Sequence, residues 1–161
     1  MHKFIKEIIP YIIIIIIVVL IRTFIVTPGI VNGSSMEETL REDDLVIVNK
    51  IALTKGINRY DIVVLKYGKD TLIKRVIGLP METVEYKDNE LYINNKLVQT
   101  PIDFEYTYDF NLTAKEDEYI VLGDNRNVSK DSRSIGAFKK TDIKGKVNFV
   151  IFPFNRFGQI K

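Results

Sequence analysis

Asp61-Ile-Val-Val-Leu-Lys66 and Thr71-Leu-Ile-Lys-Arg-Val-Ile-Gly-Leu79 are two short runs rich in Val, Ile and Leu, and Gly68-Lys69-Asp70 stands between them. β-branched residues bounded by turn formers predict strand, turn, strand. The same pattern recurs on both sides. LVIVNKI (45–51), TVEYK (83–87), ELYINN (90–95), EYIVLG (118–123) and GKVNFVIF (145–152) read as strands. Glu42-Asp43-Asp44, Lys55-Gly56, Asp88-Asn89 and Asn94-Asn95 read as turns. A single helical turn is expected near Ser35–Leu40 and another near Lys139–Ile143. The polar, aromatic-dotted segment from Gln99 to Glu118 reads as a long loop or small subdomain. Residues 27–161 are therefore predicted to be mainly β, an antiparallel barrel or sandwich.

The N-terminus follows a different rule. Ile8 to Ile21 is IIPYIIIIIIVVLI, fourteen residues without a charge. Phe4 to Val26 spans 23 residues, and a membrane-crossing helix needs about 20 mostly apolar ones. Residues 1–26 are read as a membrane anchor. The run ends in Phe24-Ile25-Val26-Thr27-Pro28, bulky and β-branched, unlike the small residues at a signal-peptide cleavage site. Lys3 and Lys6 precede the span and favour a cytoplasmic N-terminus, which puts the body on the outer face, although Arg22 at the other end weakens that bias.

Composition narrows the chemistry. The 161 residues are 46% apolar and 27% charged, a globular balance that suggests one domain beyond the anchor. There is no cysteine, which excludes disulfides, thiolate nucleophiles and Cys-ligated metals. His2 is the single histidine, at the extreme N-terminus, which removes a Ser-His-Asp triad and a histidine-based zinc site. No cofactor and no metal are expected. The net charge of +2 is carried by residues 1–26, and residues 27–161 balance 20 basic against 20 acidic side chains. A nucleic-acid binder would show a basic surplus in its folded part, so that class is set aside.

Three segments carry candidate chemistry. Val31-Asn-Gly33-Ser-Ser35-Met36-Glu-Glu-Thr-Leu40 follows the anchor closely. A Ser after Gly can present its hydroxyl on a turn beside backbone N–H donors, or it can simply cap a short helix. In Leu72-Ile73-Lys74-Arg75-Val76, strand alternation sends the two cations to opposite faces of an apolar strand. A buried lysine loses solvation and its pKa falls, which makes it a general base where no histidine serves. The alternative is one salt-bridged and one exposed cation. Gly123-Asp124-Asn-Arg-Asn-Val-Ser129-Lys-Asp131-Ser-Arg133 is dense in turn formers. It is either a polar hairpin loop or a support for the site, with Asp131 able to pair with Arg133 and Asp124 with Arg75.

Together the three segments, in this order and behind an anchor, resemble bacterial type I signal peptidases, with the size and single anchor of Gram-positive members. The likeness runs from the anchor to about Phe154. It implies a β-rich Ser/Lys peptidase body with an accessory region at about 84–118. By resemblance Ser35 is the nucleophile, Lys74 the general base, and Ser129 the hydroxyl that orients the lysine. The Ser35 N–H helps form the oxyanion hole. Asp124, Arg75, Asp131 and Arg133 are supporting ion-pair residues. Val31, Met36, Leu40 and Ile73 line a shallow pocket for small side chains, and Gly33 stands where some members carry an oxyanion-supporting hydroxyl. The implied substrates are exported preproteins with small residues at −1 and −3. The implied partners are the bilayer and, further, pilin or secretion machinery. The chain departs from the family pattern at Glu38, where Pro is usual, and at Met81-Glu82, where Gly-Asp is usual. The expectation is that Met81 is strained if that position needs φ > 0. The competing reading is a non-proteolytic pilus assembly factor or chaperone on the same fold. Self-cleaving repressors share the Ser/Lys chemistry, but they are soluble.

Overall fold

The computed structural model describes residues 2–102 and 104–160, with side-chain surroundings from Glu7 onward. Lys3 and Lys6, on which the orientation rests, have side chains outside that description. A 23-residue helix, α1 (His2–Phe24), precedes a body of short strands. They are β1 (Val26–Ile30), β2 (Leu45–Asn49), β3 (Ile62–Tyr67), β4 (Asp70–Gly78), β5 (Thr83–Lys87), β6 (Glu90–Ile93) and β7 (Lys96–Leu97), followed by β8 (Phe110–Thr113) and β9 (Glu118–Leu122). After a one-turn helix, α2 (Ser132–Ile135), come β10 (Phe138–Lys139), β11 (Ile143–Phe152) and β12 (Gly158–Gln159).

Every described strand pair is antiparallel, in two sheets. The larger runs β1-β2-β11-β3-β4-β9-β10, with β12 added to β11, and the smaller runs β7-β6-β5-β8. The opening stretch forms the hairpin β3–β4, in which Val63 pairs with Lys74 and Ile62 with Arg75. The continuous apolar run of β3 has a cause: Val64 joins one core cluster and Val63 and Leu65 another, so both faces of the strand are covered. A third cluster, with Ile77, Ile120 and Leu122 from the large sheet and Val84, Tyr86, Leu91 and Ile93 from the small one, packs the sheets together.

Residues 7–24 of α1 have a mean hydropathy of 2.4 and none is buried, so this is not a core helix. At ~1.5 Å per residue it is about as long as the hydrocarbon core of a bilayer is thick. Its last carbonyls are held by the body: Lys50 Nζ donates to Thr23 O (2.8 Å) and Arg22 O (3.3 Å), and Thr27 Oγ1 donates to Arg22 O (2.9 Å). A cation at a helix C-terminus meets both the orphan carbonyls and the dipole. α1 is thereby tied to the edge of the sheet.

Two expectations change and a third, at Met81, is met. Residues 35–40 form hydrogen-bonded turns and no helix, whereas a 3₁₀ turn does form at Lys140–Asp142. The segment 99–118 contains a strand, β8, that pairs with β5. Met81 has φ +65°, so the left-handed position is occupied by a side chain that costs roughly 1–2 kcal/mol more there than glycine. The turn is compensated by its neighbour. Glu82 accepts from Leu79 N (2.7 Å) and from both terminal nitrogens of Arg59 (2.7 and 2.9 Å). Burial works against the charged form of Glu82, but the Arg59 and Leu79 hydrogen bonds outweigh it and hold its pKa below the usual range.

Candidate active site

Ser35 sits on a turn that its neighbours anchor. Met36 and Leu40 are buried in the core, and Thr39 N and Leu40 N both donate to Met36 O (2.9 and 2.8 Å). Gly33, at φ +83°, takes the left-handed conformation that starts the turn. Behind the nucleophile candidate, Asn125 N donates to Ser35 O (3.2 Å). Among the described residues the Ser35 N–H donates to no acceptor, so it is available to an incoming oxyanion.

Lys74 Nζ lies 2.6 Å from Ser35 Oγ. Both cations of the Lys74-Arg75 pair are 2% exposed, so the alternative with one exposed cation does not hold. Their partners differ. Arg75 is clasped by Asp124, with Nε to Oδ1 at 2.9 Å and Nη2 to Oδ2 at 2.7 Å, and Thr39 Oγ1 completes the cluster by donating to Asp124 Oδ2 (2.6 Å). Lys74 has no ion pair among the described residues. Burial pushes its pKa down to about 8, against the opposing pull of Asp131 and Asp124. A lysine in that position is partly neutral near pH 7, and a neutral amine can accept the Ser35 proton.

Asp131 and Arg133 pair as expected, at 2.9 Å. Asp131 also accepts from Gly123 N (3.0 Å). Burial alone would raise its pKa, but the Arg133 and Gly123 hydrogen bonds hold it below the usual carboxylate range. Ser129 Oγ is fully enclosed and makes no hydrogen bond of good geometry; it faces Asp131, whose carboxyl it helps to hold below the usual range, and the bond to Lys74 that the resemblance implies is not made in this structure. It packs against Gly123 instead. A buried hydroxyl whose best contact is a poorly aligned one to Asp131 contributes little, so Ser129→Ala is expected to leave the melting temperature nearly unchanged. If Ser129 turns to Lys74 during turnover, the same variant loses roughly tenfold or more in kcat with activity remaining. Thermal melts alongside steady-state kinetics check both, and a wild-type kcat would remove Ser129 from the machinery.

Ser35 and Lys74 open into a cleft of about 370 Å³. Val31, Met36, Ile73, Val46, Val48 and Val64 give it apolar walls, and Gly33 lies at its rim. Leu40 does not line it; that side chain is fully buried in the core that supports the turn. Thr27–Ile30 of β1 and Thr71–Lys74 of β4 form its two sides. They are four places apart in the sheet order, so the sheet curls until they face each other. β1 pairs on one edge only, and β4 pairs with β9 only from Arg75 onward. Two unpaired strand edges therefore flank the apolar trough.

The family model for signal peptidase, peptidase S26, matches residues 3–152. This chain belongs to that signal peptidase family. A signal peptidase I of Bacillus amyloliquefaciens is 39% identical over 164 residues, covering 93% of this chain and 89% of the relative. Signal peptidase IB of Staphylococcus aureus (strain COL) is 37% identical, covering 94% and 93%. A crystal structure of a signal peptidase I from Enterococcus faecalis V583 is similar with a TM-score of 0.50 at 36% identity, covering 56% of this chain and 95% of that one. The signal peptidase is a serine endopeptidase, a hydrolase, and the assembly-factor alternative is not favoured. Two features of the site escaped the sequence reading: the steric role of Gly123, and Thr39 as the third member of the Arg75–Asp124 cluster. Gly123 heads a segment that was already singled out, but why glycine stands there is visible only once Ser35 O and Ser129 are placed around it.

Proposed function

We propose that this protein is a membrane-anchored peptidase that cuts exported preproteins, with Ser35 as nucleophile and Lys74 as general base. The observation that carries the reading is a buried lysine, with no ion pair among the described residues, 2.6 Å from a serine hydroxyl at the head of an apolar cleft. Neutral Lys74 takes the Ser35 proton as Oγ attacks the scissile carbonyl. The oxyanion is met by the free Ser35 N–H. The Lys74 ammonium then protonates the leaving amine, and an acyl-enzyme remains. Lys74, neutral again, deprotonates a water that releases the acyl group. Asp124, Arg75, Asp131 and Arg133 hold the walls around this pair.

The substrate enters extended between β1 and β4, adding backbone hydrogen bonds to both free edges. Its side chains alternate into the trough, where Val31, Met36 and Ile73 leave room for small groups only. α1 crosses the bilayer with its N-terminus in the cytoplasm, and residues 27–161 lie on the outer face with 84–118 as an accessory region. Ile30 and Phe152, on either side of Leu45 in the sheet, are exposed apolar residues that face the lipid in this arrangement.

The test is cleavage of a preprotein with Ala at −1 and −3 by the full chain in detergent, with the mature N-terminus read by mass spectrometry. Cleavage after the −1 Ala is expected, and Phe at −1 is expected to slow it by roughly 100-fold or more. Equal rates for Ala and Phe would remove the small-residue trough from the account.

A further inference from the structure

Arg126 is 3% exposed and lies against two aromatic rings, its guanidinium carbon 4.2 Å from the centre of Phe104 and 5.1 Å from that of Tyr86. Its donors point in two directions. Nε donates to Gly123 O (2.9 Å), and Nη1 donates to Thr107 Oγ1 (2.7 Å). Thr107 belongs to the accessory side. It is fully buried, its hydroxyl donates to Glu105 O (3.2 Å), and its N–H donates to Asn89 Oδ1 (2.8 Å) in the β5–β6 turn. Arg126 therefore bridges the small sheet and the residue that backs the nucleophile.

The site end of that bridge is fixed on all sides. The Gly123 N–H is held by Asp131 and its carbonyl by Arg126. The next two residues are fixed as well, Asp124 by Arg75 and Asn125 by its hydrogen bond to Ser35 O. Gly123 packs so closely on Ser35 O and Ser129 that a single added carbon would overlap both. A shift of the Gly123 carbonyl is thus transmitted to the Ser35 backbone and to the free N–H beside it.

We propose that Arg126 is a positioning residue for the Ser35–Lys74 pair, setting Gly123 from the accessory sheet through Thr107, Tyr86 and Phe104. This rests on the Ser/Lys reading of the site. Arg126 touches no reacting atom and acts by geometry. A guanidinium is needed because one planar group must lie against two rings while donating in two directions, which an ammonium cannot do.

The test uses the full chain in detergent with R126K, T107V and the R126K/T107V double variant. A displacement near 1 Å at a reacting centre costs up to about 100-fold. R126K is expected to lower kcat by about tenfold or more, with KM within twofold and the melting temperature within a few degrees. T107V, remote from Ser35, is expected to lower kcat by about two- to fivefold with KM unchanged. The double variant should be no slower than R126K alone, because both substitutions cut the same link. Additive losses, or a wild-type kcat in T107V, would overturn the proposal. So would a loss of rate matched by a rise in KM and a fall in melting temperature, which would mark a general structural role. If R126K does not fold, T107V alone decides by its kcat and KM. Loss of the Ser/Lys reading itself is separable, since it would appear as full activity in Ser35→Ala.

Discussion

Lys74→Met should abolish cleavage while leaving the protein at least as stable as the wild type at pH 7. The first half follows from chemistry: among the described residues Lys74 is the side chain hydrogen-bonded to Ser35 Oγ, so without it the hydroxyl loses its acceptor and kcat is expected to fall by about 10⁴-fold or more. The second half follows from electrostatics. Lys74 is buried with no ion pair among the described residues, and burial drags its pKa from 10.5 to about 8. Below that value the folded state carries a charge it solvates poorly, at a cost on the order of 3 kcal/mol. The folded pKa lies below the unfolded one, so the unfolded chain binds more protons between pH 8 and 10.5 and stability rises with pH through that window. Methionine removes the charge and keeps most of the volume. Ser35→Ala should match the loss of activity. Denaturant melts beside cleavage assays check both, and a variant that is dead only because it is unfolded would fail the stability half.

Gly123→Ala is the second large effect. A methyl group there would overlap Ser129 Oγ and the Ser35 carbonyl oxygen. The Ser129 hydroxyl can rotate away although its Cβ cannot, and the carbonyl belongs to the backbone of Ser35 and is tied to Asn125 N. Relief must therefore displace Ser35 or the segment behind it. A shift of a few tenths of an ångström to 1 Å should cost roughly 10²-fold in kcat. The double variant Gly123→Ala/Ser129→Ala separates the two overlaps. It removes the overlap with the hydroxyl and leaves those with the Ser35 carbonyl and the Cβ of residue 129, so kcat should stay low. Recovery to the Ser129→Ala rate would show that the hydroxyl alone was responsible.

Much of the body was legible because its strands obey a local rule. β3, β4, β5 and β9 are short runs of Val, Ile, Leu and Tyr between turn formers, and the chain places them within a residue or two of the expected bounds. β1 was missed for a physical reason. Val26-Thr-Pro-Gly-Ile30 carries Pro and Gly and no alternating β pattern, yet an edge strand needs donors on one side only and so tolerates proline. β8 was missed because Phe110-Asn-Leu-Thr113 has no strong β signal of its own and is set by pairing with β5. At the site, alternation along β4 flagged Lys74 and Arg75 as a pair in which at least one cation has apolar neighbours. The Arg75–Asp124 pair was also named from the sequence and is made, but the sequence could not show that both cations are buried, nor that Lys74 has no ion pair among the described residues. That division depends on contacts 49 residues apart. Leu40 is a different case: the family resemblance placed it in the substrate pocket, and the turn instead puts that side chain in the core.

The pH dependence of kcat/KM for the wild-type chain on a preprotein tests the central claim most directly, because it reads the protonation state of the free enzyme's base. The rate should rise about tenfold per pH unit from pH 6 and level off near and above pH 8, as Lys74 loses its proton. A rate that is flat from pH 6 to 9, or that falls across that range, would contradict a lysine base paired with Ser35.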